Sequence, residues 1–382
     1  MTRAPDGDLW EVLPAAAAAL GVTSLLPDTP RPAWTLSPHP RVVVVLVDGL
    51  GDLLLAARAS YAPFLSGLRE RSGRVLRSGY PSTTATSMGS FGTGVPPGTH
   101  GMVGYQVRDP DTGRLLNQLS WEDGPAPRTW QPRPPVLAQV ADAGVEVVQI
   151  GPAYFGGSGL TEAALRGARF VGASSLDRRI DAAAAAVRSS PRSLVYLYWG
   201  EVDKTGHGSG CGSYQWCDEL AAVDLALRTL AARMPSDALL VVTADHGMVD
   251  VPAGARVDLA DADADPLARE LARGVLLTGG EPRAPMLYCE PGEAEAVAAR
   301  WRAALEDDAE VLTRDEAVAA GWFGPVGDLA RARIGDVVCS VTALRSVHDS
   351  RVQRIEGRRL IGLHGARTDA EVLVPLLVRE PG

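Results

Sequence analysis

Residues 41–51 read RVVVVLVDGLG, the first strand signal of the chain. Arg41–Val47 is a continuous β-branched run, the mark of a strand covered on both faces inside a parallel sheet. It ends in Asp48-Gly49-Leu50-Gly51, a turn at the strand's carboxyl end. Working outward, the same alternation recurs. A helical pattern is expected from Leu53 to Arg71 and a short strand over Arg74–Gly79. Helices are expected at Val136–Ala143, Asp177–Arg188 and Tyr214–Arg233. Strands are expected at Val145–Ile150, Ser193–Trp199 and Ala238–Thr243. Such β/α alternation predicts an α/β fold with a doubly wound, mostly parallel sheet flanked by helices.

Two regions depart from the alternation. Tyr105–Trp130 is rich in Asp, Gly and Pro, with Leu115–Trp121 alternating polar and apolar, and reads as a hairpin-like excursion. Residues 251–363 mix an acidic loop (Asp258–Asp265), helical patterns at Glu293–Leu305 and Arg314–Ala320, and short strands at Met286–Cys289 and Asp336–Val341. They are read as a smaller inserted α+β subdomain within a single catalytic domain of residues 1–382. Val372–Val378 returns as a last strand.

Composition narrows the function. With 46% hydrophobic and 22% charged residues over 382 positions, the chain has ample core for a globular protein. A net charge of −9 argues against a nucleic acid polymer or an anionic membrane surface as partner. No run is apolar enough to span a membrane. Acidic Asp6, Asp8 and Glu11 outweigh Arg3 before the apolar run Leu13–Val22, unlike a secretion signal, so a cytoplasmic location is expected. The four cysteines fit reduced thiols; Cys211 and Cys217 in GCGSYQWC are close enough to pair or bind metal, though burial is the commoner fate.

Ligand sites of open α/β sheets lie beyond the carboxyl ends of the strands. Those ends carry Asp48, then Asp203 and His207, then Asp245-His246, and His364 follows the strand-like LIGL. Aspartate and histidine together suit a hydrolytic transition metal, zinc most often. Asp203 and His207 are read as two ligands on one loop. Adjacent Asp245 and His246, on extended backbone, would point apart, toward two ions or toward one ion and its surroundings. A further stretch, YPSTTATSMGSFGTG at residues 80–94, combines hydroxyls and glycines. Ser82 or Thr83 is a candidate N-cap for a helix from Thr84 to Thr93, whose first turn would suit a phosphate.

Asp48-Gly49, PSTTAT at 81–86, EVDKTGH at 201–207, TADHG at 243–247 and the late His364-Gly365, in this order, resemble the alkaline phosphatase superfamily. They look most like its nucleotide pyrophosphatase/phosphodiesterase branch. The resemblance spans residues 42–365 and implies two Zn²⁺ ions, with Mn²⁺ or Fe²⁺ as substitutes. It implies Asp203, His207 and His364 around one ion, and Asp48, Asp245, His246 and the Thr84 oxygen around the other. Thr84, third after the motif's proline, is the implied nucleophile, with Thr83 one place away. The implied reaction is hydrolysis of phosphate diesters or nucleotide pyrophosphate bonds through a phospho-threonine, on a small phosphate-ester or nucleotide substrate.

One position departs from the pattern. The branch usually carries an Asn where this chain has Tyr105, whose phenol offers one donor to a phosphoryl oxygen. The alternative on this scaffold is a phosphomonoesterase. The lack of a Cys or Ser in a C/S-x-P-x-R context argues against a sulfatase, and an inactive metal-binding protein is the rival of another class. His100 is read as a structural loop residue, His39 and His348 as bystanders, and Glu201 as a support for the metal-binding loop or a plain turn residue. Trp121, Trp130 and Tyr154 are read as core, and Lys204, the only lysine, as pointing to solvent.

Overall fold

In a computed structural model the described residues are 4–23, 25–353, 357 and 359–381; Arg3 of the leader reading lies outside them. Arg41–Val47 forms a strand at the centre of an eight-stranded sheet. The sheet runs in the order Gly7–Asp8, Arg74–Arg77, Leu373–Arg379, Ala238–Thr243, Arg41–Val47, Ser193–Trp199, Glu146–Gly151 and Arg169–Gly172. Every neighbour pair is parallel except the two made by Leu373–Arg379. Val42 to Val47 are all fully buried, which is why an uninterrupted apolar run is tolerated here. Each such side chain contributes about 1.5–3 kcal/mol on burial.

Register does the positioning. Val47 lies opposite Trp199, and Leu46 lies opposite Thr243. Three adjacent parallel strands therefore end side by side, and the residues that follow them emerge at one edge.

The helical pattern expected from Leu53 to Arg71 is two helices, Asp52–Ala57 and Pro63–Ser72, joined by a 3₁₀ turn at Ala59–Tyr61. Pro63 cannot continue a helix but can begin one, and it takes the N1 position. The expected excursion after Tyr105 is a hairpin of Gln106–Arg108 and Leu115–Asn117.

Residues 275–341 contain a second sheet, four antiparallel strands in the order Val275–Glu281, Ala284–Cys289, Val337–Val341, Ala309–Thr313. Its faces follow the two-residue period of a strand. Met286 and Val338 join the main core, whereas Leu287 and Val337 join a separate cluster with Val297 and Trp301 of the helix Ala294–Leu305. Among the described residues no helix is long and apolar enough to cross a membrane.

Candidate active site

Thr84 opens the helix Thr84–Thr93, all ten residues of which are buried. Small residues let the helix lie deep. A Cβ at Gly92 would sit 1.9 Å from the Ala164 carbonyl oxygen, and one at Gly89 would meet the His100 ring at 2.4 Å. Ser87 Oγ donates to the Asp245 carbonyl at 2.8 Å and so ties this helix to the loop after Ala238–Thr243. Thr84 Oγ1 lies 3.2 Å from His246 Nε2.

Six side chains gather beside Thr84 in two sets, Asp48, Asp245 and His246, and Asp203, His207 and His364. In each set the candidate ligand atoms lie within 4.8 Å of one another. The sets adjoin, because the rings of His246 and His364 stack with centroids 3.7 Å apart. Two expectations change here. Asp203 and His207 stand not on a loop but one turn apart on the helix Glu201–Ser209, where an i, i+4 pair shares a face. Asp245 and His246 do not diverge. The chain has left the strand, and the Asp245 carboxylate folds back to accept from the N–H of His246, so both residues face one cluster.

Hydrogen bonds orient the donors. His207, His246 and His364 each direct Nδ1 at a backbone carbonyl: Gly362 at 2.7 Å, Gly247 at 3.0 Å and Ser82 at 2.9 Å. A carbonyl only accepts, so Nδ1 carries the proton and each Nε2 turns a lone pair toward the cluster. Asp48 Oδ2 accepts from the Tyr198 hydroxyl, and Asp245 Oδ1 accepts from Gly49 and His246 N–H. Their other oxygens, Asp48 Oδ1 and Asp245 Oδ2, and also Asp203 Oδ1, are buried and accept no hydrogen bond. His246 Nε2 stands 3.3 Å from Asp48 Oδ1 and 3.5 Å from Asp245 Oδ2. Lone pairs facing lone pairs at these distances call for cations between them, and nitrogen and carboxylate donors fit divalent zinc, manganese or iron.

Electrostatics agree. Burial raises the Asp48 carboxyl well above its ordinary range, and the charges of Asp245 and Asp203 add to this while the Tyr198 hydrogen bond opposes it. Burial also raises Asp203, against the pull of His207. His364 is held well below its usual value by burial and then by His246 and His207. Carboxylates crowded together beside the His364 imidazole, which burial disfavours as a cation, are a site short of positive charge.

The sets open onto a cavity of about 760 Å³ walled by Thr84, Asp203, His207 and His364. Tyr105, Arg114 and Asn117 of the hairpin region form another wall. The Tyr105 oxygen accepts from Asn117 Nδ2 at 2.7 Å. Glu281, at the end of a strand of the second sheet, also lines the cavity. Burial pushes its carboxyl up to about 8, with the Thr83 hydrogen bond lowering it and Asp203 raising it.

Glu281 and Tyr198 were not foreseen. Tyr198 had a faint signal, a polar-tipped aromatic at the carboxyl end of a buried strand. Glu281, in TGGEPRAP, had none.

Other candidates fall outside the site. His100 ends the one-turn helix Pro97–His100, is buried against Ser90 and Met102, and is pushed down to about 3 by burial and by Arg333 and Arg133. His39 pairs with Glu380 and His348 contacts Ser346. Glu201 is held by buried Arg179, which also donates to the Ala173 carbonyl, so the start of the Asp203 helix is anchored to the sheet edge. Trp121 and Trp130 are buried, but Tyr154, expected in the core, is 77% exposed. Lys204 is exposed. Cys211 and Cys217 are free thiols, both buried.

A family model, type I phosphodiesterase / nucleotide pyrophosphatase, matches residues 42–366. Among solved structures, murine ectonucleotide pyrophosphatase / phosphodiesterase 5, an inactive threonine-to-alanine variant in complex with AMP, superposes with a TM-score of 0.71 at 17% identity. That match covers 89% of this chain and 88% of the other. Phosphonoacetate hydrolase from Sinorhizobium meliloti 1021, in complex with phosphonoacetate, gives 0.68 at 22% identity, over 89% and 90% of the two chains. These likenesses establish the alkaline phosphatase-like fold.

Proposed function

The chain belongs to the type I phosphodiesterase / nucleotide pyrophosphatase family of phosphoester hydrolases, and from that premise we propose that it is a two-metal hydrolase of phosphate diesters or nucleotide pyrophosphate bonds with Thr84 as nucleophile. The observation that carries this reading is the position of the Thr84 hydroxyl. It stands at a buried helix start, 3.2 Å from His246 Nε2, beside two clusters whose inward carboxylate oxygens accept no hydrogen bond.

Asp48, Asp245 and His246, with the Thr84 oxygen, would hold one ion, and Asp203, His207 and His364 the other. Bound there, the ions supply Lewis-acid charge stabilisation and lower the pKa of a coordinated hydroxyl. The chain itself does the rest. The first turn of the Thr84 helix offers N–H groups to phosphoryl oxygens. Thr84 Oγ1 loses its proton to solvent and forms the bond to phosphorus as the bond from phosphorus to the leaving oxygen breaks. Water then attacks phosphorus, breaking the bond to Oγ1 and returning the proton to Thr84. Tyr198 holds Asp48 by one oxygen so that the other faces the cluster. The murine neighbour is inactive as a threonine-to-alanine variant, in keeping with a threonine nucleophile on this fold.

A diester is favoured over a monoester. Among the described residues the only cationic side chain lining the cavity is that of Arg114, at the hairpin, whereas Glu281 adds negative charge near the helix start when ionised. Among the described residues, that leaves little fixed positive charge for a dianion. A cavity of about 760 Å³ accepts a nucleotide-sized leaving group. A second reading, cleavage of a carboxylated phosphonate, rests on Arg114 and on the phosphonoacetate-bound neighbour. Phosphonoacetate turnover faster than that of bis(4-nitrophenyl) phosphate would favour it.

Thr84→Ala tests the main proposal. Turnover of bis(4-nitrophenyl) phosphate should fall below detection while fold and metal content persist. An active Thr84→Ala beside an inactive Thr83→Ala would move the nucleophile by one residue.

A further inference from the structure

We infer that Glu281 is a positioning residue that draws the Thr83 hydroxyl away from the start of the Thr84–Thr93 helix and so keeps the first-turn N–H groups open to phosphoryl oxygens. Thr83 is the N-cap residue, with extended φ −137° and ψ 146°. A threonine there ordinarily accepts from an N–H of the first turn. At three helices of this chain the N-cap hydroxyl does that: Ser175 accepts from Arg178, Ser213 from Trp216 and Thr313 from Glu316, whereas Thr368, before the one-turn helix Asp369–Val372, gives its hydroxyl to Glu371 and caps nothing. No side chain caps the Thr84 helix. The Thr83 hydroxyl instead donates to Glu281 Oε1.

Glu281 is held firmly for this purpose. Two residues on, fully buried Arg283 donates to both Glu371 oxygens at 2.7 Å and to the carbonyls of Val341, Ala343 and Arg345. Gly365, beside His364 and at φ +133°, lets the Glu281 stem approach; a Cβ there would stand 2.9 Å from Glu281 Cβ. The second sheet thus reaches the reaction centre through one carboxyl group. The inference rests on the proposed binding of the phosphoryl group at this helix start.

The test is steady-state hydrolysis of bis(4-nitrophenyl) phosphate by the metal-loaded full chain, with thermal melting and metal analysis of each variant. In Glu281→Ala the freed Thr83 hydroxyl turns back to cap the helix. kcat/KM should then fall on the order of 10²-fold, the loss seen when an oxyanion donor is removed, with metal content unchanged and no lower Tm. Glu281→Gln keeps an acceptor for Thr83 and should lose at least tenfold less. Adding Thr83→Ala to Glu281→Ala removes the competing cap and should recover tenfold or more. Should Glu281→Ala fail to fold, Glu281→Met fills the space without accepting and serves in its place. An alanine variant within threefold of wild type, a glutamine variant as impaired as the alanine one, or a double variant no better than Glu281→Ala each overturns the inference. Thr84→Ala separates the causes: if it stays active, the phosphoryl reading falls with this one, and if it is dead beside an unaffected Glu281→Ala, only this inference falls.

Discussion

The two clusters use the same donors, aspartate and histidine, in opposite surroundings. Asp245 and His246 side chains are 0% exposed and Asp48 4%, sealed beneath the Thr84 helix. Asp203 and His207 are 15% and 21% exposed and stand on the cavity wall. The difference follows from which elements bear them. The sealed set comes from two adjacent central strands, Arg41–Val47 and Ala238–Thr243, covered by a buried helix. The open set comes from the outer side of the edge, on a glycine-containing helix and a short late strand. A sealed carboxylate cluster carries a large desolvation cost that a bound cation offsets, whereas the second set, although His364 and Asp203 Oδ1 are buried, meets solvent at Asp203 and His207. The sealed ion is therefore expected to serve stability and nucleophile together, and the open ion to serve turnover alone.

Removing one ligand from each set tests that contrast, and the largest effects are expected here. Asp245→Asn should lose one ion, lower the Tm of the metal-loaded protein and reduce turnover on the order of 10²–10³-fold or more. His207→Ala should lose the other ion and a comparable rate, yet leave Tm nearly unchanged and regain activity when excess metal is supplied. Unchanged stoichiometry near two per chain in both variants rules out the assignment.

Substrate charge bears on the same contrast, since the open cluster lines the cavity where the leaving group is expected. kcat/KM for an aryl or nucleotidyl diester should exceed that for the matching monoester by at least tenfold, about 1.4 kcal/mol of transition-state discrimination. Exposed Lys204→Ala should change this ratio little. A faster monoester reaction that collapses in Lys204→Ala would make the protein a phosphomonoesterase.

The remaining effect falls on stability alone and concerns the packing behind the sealed cluster. His100 is held neutral by burial, its pKa about 3 against 6.5. A depressed histidine favours the folded state fully above pH 6.5. Between 6.5 and about 3 that contribution declines by about 1.4 kcal/mol per pH unit, because the unfolded chain binds the proton that the folded one refuses. His100→Asn keeps an acceptor for the Met102 N–H. Its stability relative to wild type should rise with acidification over that window; parallel pH profiles would contradict this.

Much of the sheet was legible because RVVVVLV, SLVYLYW and ALLVVT each match the uninterrupted apolar run that a strand buried on both faces demands. The aspartates and histidines that follow the carboxyl ends of those strands are the ones the fold gathers into two clusters. The helix bearing Asp203 and His207 was missed because EVDKTGHGS carries two glycines, which lower helix propensity; its anchoring by Arg179 prevails over that preference. Convergence of Asp245 and His246 depended on a turn that adjacency alone does not specify. Glu281 was invisible for another reason. Its partner Thr83 lies 198 residues away, and only the packing of the second sheet against the first brings the two together.

If the two clusters act as one site, titrating the metal-free protein with metal should show it. Zn²⁺ should bind to two equivalents per chain, the first raising Tm with little diester turnover and the second bringing turnover to its full value. Full activity at one equivalent, or undiminished activity in the chelated, metal-free protein, would contradict the account.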